Sequence, residues 1–126
     1  MSTHLRISTS HADGATVVHV GGEVDLASAP ELEAAVAAAF ELAPRGAEDA
    51  QVGHELVLDL RGVTFLAAAG LAELLKGARL AGDRGLRVRV IASDGVLRAV
   101  EAAAVAPATL GLVPATAWRA ARDSEI

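Results

Sequence analysis

Two carboxylates, Glu23 and Asp25, stand two residues apart in the segment Gly22–Pro30, which reads GEVDLASAP. Acids at that spacing can divide general acid–base work if burial drives their pKa values apart. On an exposed loop they form an acidic rim instead, and that is the reading adopted. The four histidines are His4, His11, His19 and His54. None shares a ligand spacing such as i, i+4 with another His or an acid, so no metal site is expected. With no cysteine in the chain, disulfides, thiol catalysis and Cys-ligated metals are excluded. Gly21-Gly22 runs into acids and lacks a Lys-Ser/Thr ending, so it is no phosphate loop. No G-x-S-x-G occurs, and Ser28 and Ser93 read as helix caps. The chain is therefore expected to be a non-enzyme without a cofactor.

One stretch fits no ordinary pattern. Phe65-Leu66-Ala67-Ala68-Ala69-Gly70 leads into a helix, where Ser, Thr, Asp or Asn normally supplies the cap. Either Thr64 caps that helix from further back, or small residues are wanted there for contact. A binding surface at Ala67–Gly70 is expected.

The elements that would position these residues follow from periodicity. Leu5–Ser10 and Thr16–Val20 alternate as strands around the Asp13-Gly14 turn signal, a hairpin. Ser28 with Glu31 three residues on makes a capping box. It opens a helix whose apolar stripe is Leu32, Ala35, Val36, Ala39 and Phe40. Ala43–Glu55 carries Pro44 and several acids without period, an exposed loop. Leu56–Leu60 is a continuous apolar run suited to a buried central strand, closed by Arg61-Gly62. Leu71, Leu74, Leu75 and Ala78 give the second helix its stripe. Leu86, Val88 and Val90 alternate with Arg87 and Arg89 as a strand. Ser93 or Asp94 caps a third helix that Pro107 stops, Thr109–Val113 is a short last strand, and a final helix starts at Pro114 with Trp118 on its inner face. The fold class is α/β: a mixed sheet, an opening antiparallel hairpin followed by parallel strands, with about four helices.

Composition narrows the function. The 126 residues suit one domain. Apolar residues make up 52% and aromatic ones 2%, so Ala, Leu and Val fill the core and surface binding is favoured over a ligand cavity. A net charge of −5 with two Phe, one Trp and no Tyr argues against nucleic acid. No apolar run approaches the ~20 residues of a membrane span, and MSTHLRISTS lacks the pattern of a secretory signal. A cytoplasmic protein is expected. Lys76, Arg79, Arg84, Arg87, Arg89 and Arg98 give the second half a basic bias, whereas acids dominate residues 23 to 55, an asymmetry able to steer a charged partner.

GEVDLASAP and LVLDLRGVTFLAAAGLAELL together resemble the STAS domain, and within it the bacterial anti-sigma factor antagonists. The resemblance runs from about Leu5 to Ala121, with the first motif similar to the family's G-E-x-D-x-x-[ST]-A-x segment. It implies a single STAS domain over 1–126 that binds protein in transcription regulation. In the family the loop reads Asp-Ser-[Ser/Thr]-Gly-Leu, and a partner that is both kinase and anti-sigma factor phosphorylates its serine. The added charge of about −1.5 to −2 breaks the complex and so switches partners. Laid on this chain, the aspartate position is Ala67, the phosphorylated position Ala68 and the following hydroxyl Ala69, while Gly70 and Leu71 match. The implied partner surface is Glu23, Asp25, Ser28, Phe65, Leu66, Ala67, Ala68, Ala69, Gly70 and Leu71. The implied partner is a kinase-type anti-sigma factor, or a related protein, bound without phosphorylation at Ala68. The alternative is an accessory or scaffold subunit of a transporter or stress-sensing assembly. Oligomeric state is left open, a homodimer being compatible with either.

Overall fold

The alternation expected for the opening hairpin is present and longer at its turn end. β1 is Arg6–Ala12 and β2 is Ala15–Val24. They pair antiparallel from Arg6↔Gly21 to Ala12↔Ala15, and Gly14 at φ +75° supplies the left-handed residue that so tight a reversal needs. The computed structural model describes residues 5–12, 14–42 and 55–118. Most of the expected loop Ala43–Glu55 lies outside them, as does the final helix beyond 118. α1 is Ala29–Leu42, β3 Glu55–Leu66, α2 Ala68–Asp83, β4 Arg87–Ala92 and α3 Asp94–Ala102. A 3₁₀ turn at Pro107–Leu110 precedes β5, Leu112–Pro114, and residues 115–118 are helical. The sheet order is β1-β2-β3-β4-β5, with β2 through β5 parallel. This is the mixed α/β sheet that the sequence implied.

Three boundaries differ from expectation. β3 does not stop at Arg61-Gly62 but runs on to Leu66. It carries an extra residue twice relative to β2, once between the pairs His19↔Asp59 and Gly21↔Gly62 and again between Gly22↔Val63 and Glu23↔Phe65. Such bulges break the two-residue alternation by which a strand is read. Phe65 and Leu66 are therefore strand, Ala67 alone joins strand to helix, and Ala68 already lies in α2. The expected strand Thr109–Val113 is shifted, because Pro107 favours a 3₁₀ turn through Leu110. Ser93 does cap α3: its hydroxyl oxygen accepts from the Val96 N–H at 3.3 Å and its O–H donates to the Val63 carbonyl.

One face of the sheet carries the core. Val18, Val20, Leu56, Leu58, Leu60, Val63, Val90 and Ala92 pack with Leu32 and Val36 of α1, Leu71 and Leu74 of α2, and Val96 and Val100 of α3. The alternate positions, among them His19, Gly21, Asp59 and Arg89, face the other side. There the Arg89 guanidinium lies 5.8 Å from the Trp118 ring and reaches Glu55 at 3.3 Å.

Candidate functional site

The two segments singled out from the sequence meet at the far ends of β2 and β3. Glu23 is opposite Phe65 and Val24 opposite Leu66, and the Ala67 N–H donates to the Val24 carbonyl at 2.8 Å. The chain then turns into α1 on one side and α2 on the other.

α1 begins at Ala29, where a cap at Ser28 would start it, but the reciprocal side-chain bonds form upstream of the expected box of Ser28 and Glu31. The Asp25 carboxylate accepts from the Ser28 N–H at 2.8 Å, and the Ser28 hydroxyl oxygen accepts from the Asp25 N–H at 2.9 Å. The Ala29 N–H also bonds the Asp25 carbonyl at 2.9 Å. This is a reciprocal pair of the capping-box kind, with Asp25 and Ser28 closing the turn that leads into α1, three residues upstream of the expected pair. The donors from Ser28, its N–H first and then its hydroxyl, hold the Asp25 carboxyl below its ordinary value, so Asp25 presents a fixed negative charge.

α2 begins with no such device. Ala67 is its N-cap residue, at φ −76° and ψ 164°, and no side chain caps the helix. Thr64 does not substitute, since its hydroxyl points to the Gly22 carbonyl at 3.4 Å. Gly70 is what the packing needs. A Cβ there would lie 2.6 Å from Val24 Cγ1 and 2.7 Å from Leu66 Cδ1, so glycine lets the first turn of α2 settle directly on the strand ends.

The expected site residues separate by exposure. Asp25, Phe65 and Ala68 are exposed, and Glu23, Ser28, Ala67 and Ala69 are partly so. Leu66, Gly70 and Leu71 are buried; they shape the turn from behind and offer no side chain to a partner. Leu26 is the residue that sequence reasoning missed. It is 78% exposed and Phe65 is 52% exposed, these being two of the three most exposed large apolar side chains among the described residues. The available signal was an isolated leucine between the acid and the small residues of a loop.

A second cluster, not anticipated, lies on the sheet face away from the helices. Asp59 is only 6% exposed. Its carboxylate accepts from Arg61 Nε and Nη2, each at 2.8 Å, from the Arg61 N–H at 3.2 Å and from His19 Nδ1 at 3.0 Å. Burial alone would raise its pKa, but the Arg61 side chain, the Arg61 N–H and His19 outweigh that and hold it below the ordinary 3.8. His19 Nε2 lies 3.0 Å from the Ser10 hydroxyl. The order Ser10, His19, Asp59 is that of a nucleophile, a base and its orienting acid. Here the bidentate Arg61 neutralises the acid, so the network serves to stitch β1, β2 and β3 together. His19 and Asp59 are forty residues apart and become neighbours only through strand register.

Comparison with known proteins settles the family. A family profile described as "Mlab, STAS domain" matches residues 7–114. The chain belongs to the STAS-domain family. It is 30% identical over 94 residues to the anti-sigma-F factor antagonist RsfA of Mycobacterium tuberculosis, covering 75% of this chain and 68% of that one. The crystal structure of an anti-sigma factor antagonist from Mycobacterium paratuberculosis superposes on this STAS domain with a TM-score of 0.73 at 29% identity, covering 94% of this chain and 95% of that one. The unphosphorylated anti-sigma factor antagonist SpoIIAA matches at TM-score 0.62 and 16% identity over 98% of both chains, a likeness of fold. This STAS domain is thus of the anti-sigma factor antagonist type. Among its described residues, no helix is long and apolar enough to cross a membrane.

Proposed function

We propose that this STAS domain is a cytoplasmic anti-sigma factor antagonist that binds a kinase-type anti-sigma factor through the ends of β2 and β3, and that it is not phosphorylated at position 68. The observation that carries the reading is the patch itself. Leu26 and Phe65 stand exposed beside the fixed charge of Asp25 and the half-exposed Glu23, with small residues at Ala67, Ala68 and Ala69 that let another backbone come close. Exposed aromatic and aliphatic anchors ringed by polar groups are what protein partners bury. Ala68, in the position of the family's phosphorylated serine, has no oxygen to accept a phosphoryl group, so the partner stays bound when ATP is present.

The test is capture of the cognate kinase-type anti-sigma factor with and without ATP, followed by intact-mass analysis of this chain. Capture that is indifferent to ATP, with no added phosphate, is expected. Release by ATP together with phosphate on this chain overturns the reading. Installing Ala67→Asp with Ala68→Ser is expected to create a phosphorylated, releasable form. A second reading, an accessory subunit of a transporter, is favoured by the family description and by the missing hydroxyls. Copurification with an ABC ATPase in place of an anti-sigma factor would select it.

A further inference from the structure

The stitching of three strands accounts for Ser10, His19, Asp59 and Arg61, but it leaves Arg6 unexplained. Arg6 opens β1 opposite Gly21. Its guanidinium lies across that glycine, where a Cβ would come within 2.8 Å of Nη2. Arg6 is exposed and has no carboxylate partner among the described residues. It borders an open groove of about 640 Å³ whose wall also holds Ser8, His19, Asp59 and Arg61, and whose floor passes over Gly21 and Gly62. The first β3 bulge falls between Asp59 and Gly62, and bulges recur where a side chain must be re-aimed.

The charges in this groove are two guanidiniums against one carboxylate. Asp59 grips Arg61 by Nε and Nη2, which fixes the plane of the guanidinium. A guanidinium carries five N–H donors, so the Nη1 pair of Arg61 is not used by Asp59. Among the described residues, none of the five donors of Arg6 has a carboxylate partner. The Ser8 hydroxyl lies on the same face, opposite His19. A planar carboxylate is satisfied by one guanidinium fork, whereas a tetrahedral oxyanion has oxygens enough for two forks and a hydroxyl.

We infer that this groove is a binding site for a phosphate group, either inorganic phosphate or the monoester end of a small molecule, held by Arg6 and Arg61 with Asp59 as the residue that positions Arg61. The site is built from side chains on a sheet face and uses none of the backbone N–H cradle of a phosphate loop. It lies away from the Ala67–Gly70 turn and does not depend on what binds there.

The experiment is a ¹H–¹⁵N NMR titration with inorganic phosphate and, separately, with glycerol 1-phosphate, at constant ionic strength. Saturable shifts confined to residues 6–8, 19–21 and 59–62 are expected. Arg6→Gln should weaken binding about tenfold or more, as expected for losing a charged hydrogen-bond donor. Gly21→Ala, which displaces the Arg6 guanidinium, should weaken it as well. Arg98→Gln, an exposed arginine on α3, should leave it unchanged. Tighter binding of the monoester identifies an esterified ligand, and equal binding identifies free phosphate. Unsaturable shifts spread over every basic residue, or equal loss in Arg6→Gln and Arg98→Gln, overturn the assignment.

Discussion

Asp25 and Asp59 are both held ionised, by opposite means. Asp25 sits in water at the head of α1, and its carboxylate takes its main donors, an N–H and a hydroxyl, from Ser28, three places along the chain. Asp59 is buried, and its donors come from Arg61 on its own strand and His19 on the next. The first arrangement is local and exposed, so little else depends on it. The second joins strands, and a carboxylate largely removed from water depends on its partners. The end of the sheet carrying Asp25 can therefore vary its chemistry for a partner's sake, while Asp59 itself is committed to holding Arg61 and the neighbouring strand in place.

Substitutions that remove a partner on each side test this contrast. Arg61→Ala leaves the buried Asp59 without its main counter-charge and should cost about 2–3 kcal/mol in urea unfolding. Gly70→Ala drives a methyl into Val24 and Leu66 and should cost about 1–3 kcal/mol by overpacking. Ala67→Ser supplies the cap that α2 lacks and should raise stability by about 1 kcal/mol. No gain there would mean that the Ala67 backbone geometry does not admit a capping rotamer. Ser28→Ala should lower the melting temperature least, because Asp25 remains in water.

The pH response sharpens the same comparison. The Asp59 carboxyl titrates below its unfolded value of 3.8 in the folded chain. Its contribution is therefore complete above 3.8 and is lost as pH falls through the lower folded value. In an acid titration followed by circular dichroism, Arg61→Ala should unfold at a higher pH than the unsubstituted chain. The two stabilities should converge at the acid end.

Periodicity alone located the elements, because each stripe or alternation is written into consecutive residues. Leu32, Val36 and Phe40 on α1 and Leu71 and Leu74 on α2 face the core as their spacing implied. What escaped was whatever depends on pairing between distant segments. Arg61-Gly62 looks like a strand end because a bulge spoils the alternation. The reciprocal pair at the head of α1 lies three residues upstream of the expected one because Asp25 and Ser28 fit the capping rule as well as Ser28 and Glu31 do. His19 looked ordinary because its acid is forty residues away. Of the candidate surface, the residue types marked the place, but only burial separated Phe65 and Ala68, which face outward, from Leu66, Gly70 and Leu71, which do not.

The strand order β1-β2-β3-β4-β5 also bears on how the molecule is made. Each strand lies beside the one that precedes it in the chain, so its hydrogen-bonding partner has already left the ribosome when it emerges. The sheet can extend outward one strand at a time from the opening hairpin, with no strand inserted later between two that are already paired. Assembly of this kind keeps loop closures short, which favours fast folding, and leaves a single growing edge exposed to other chains during synthesis.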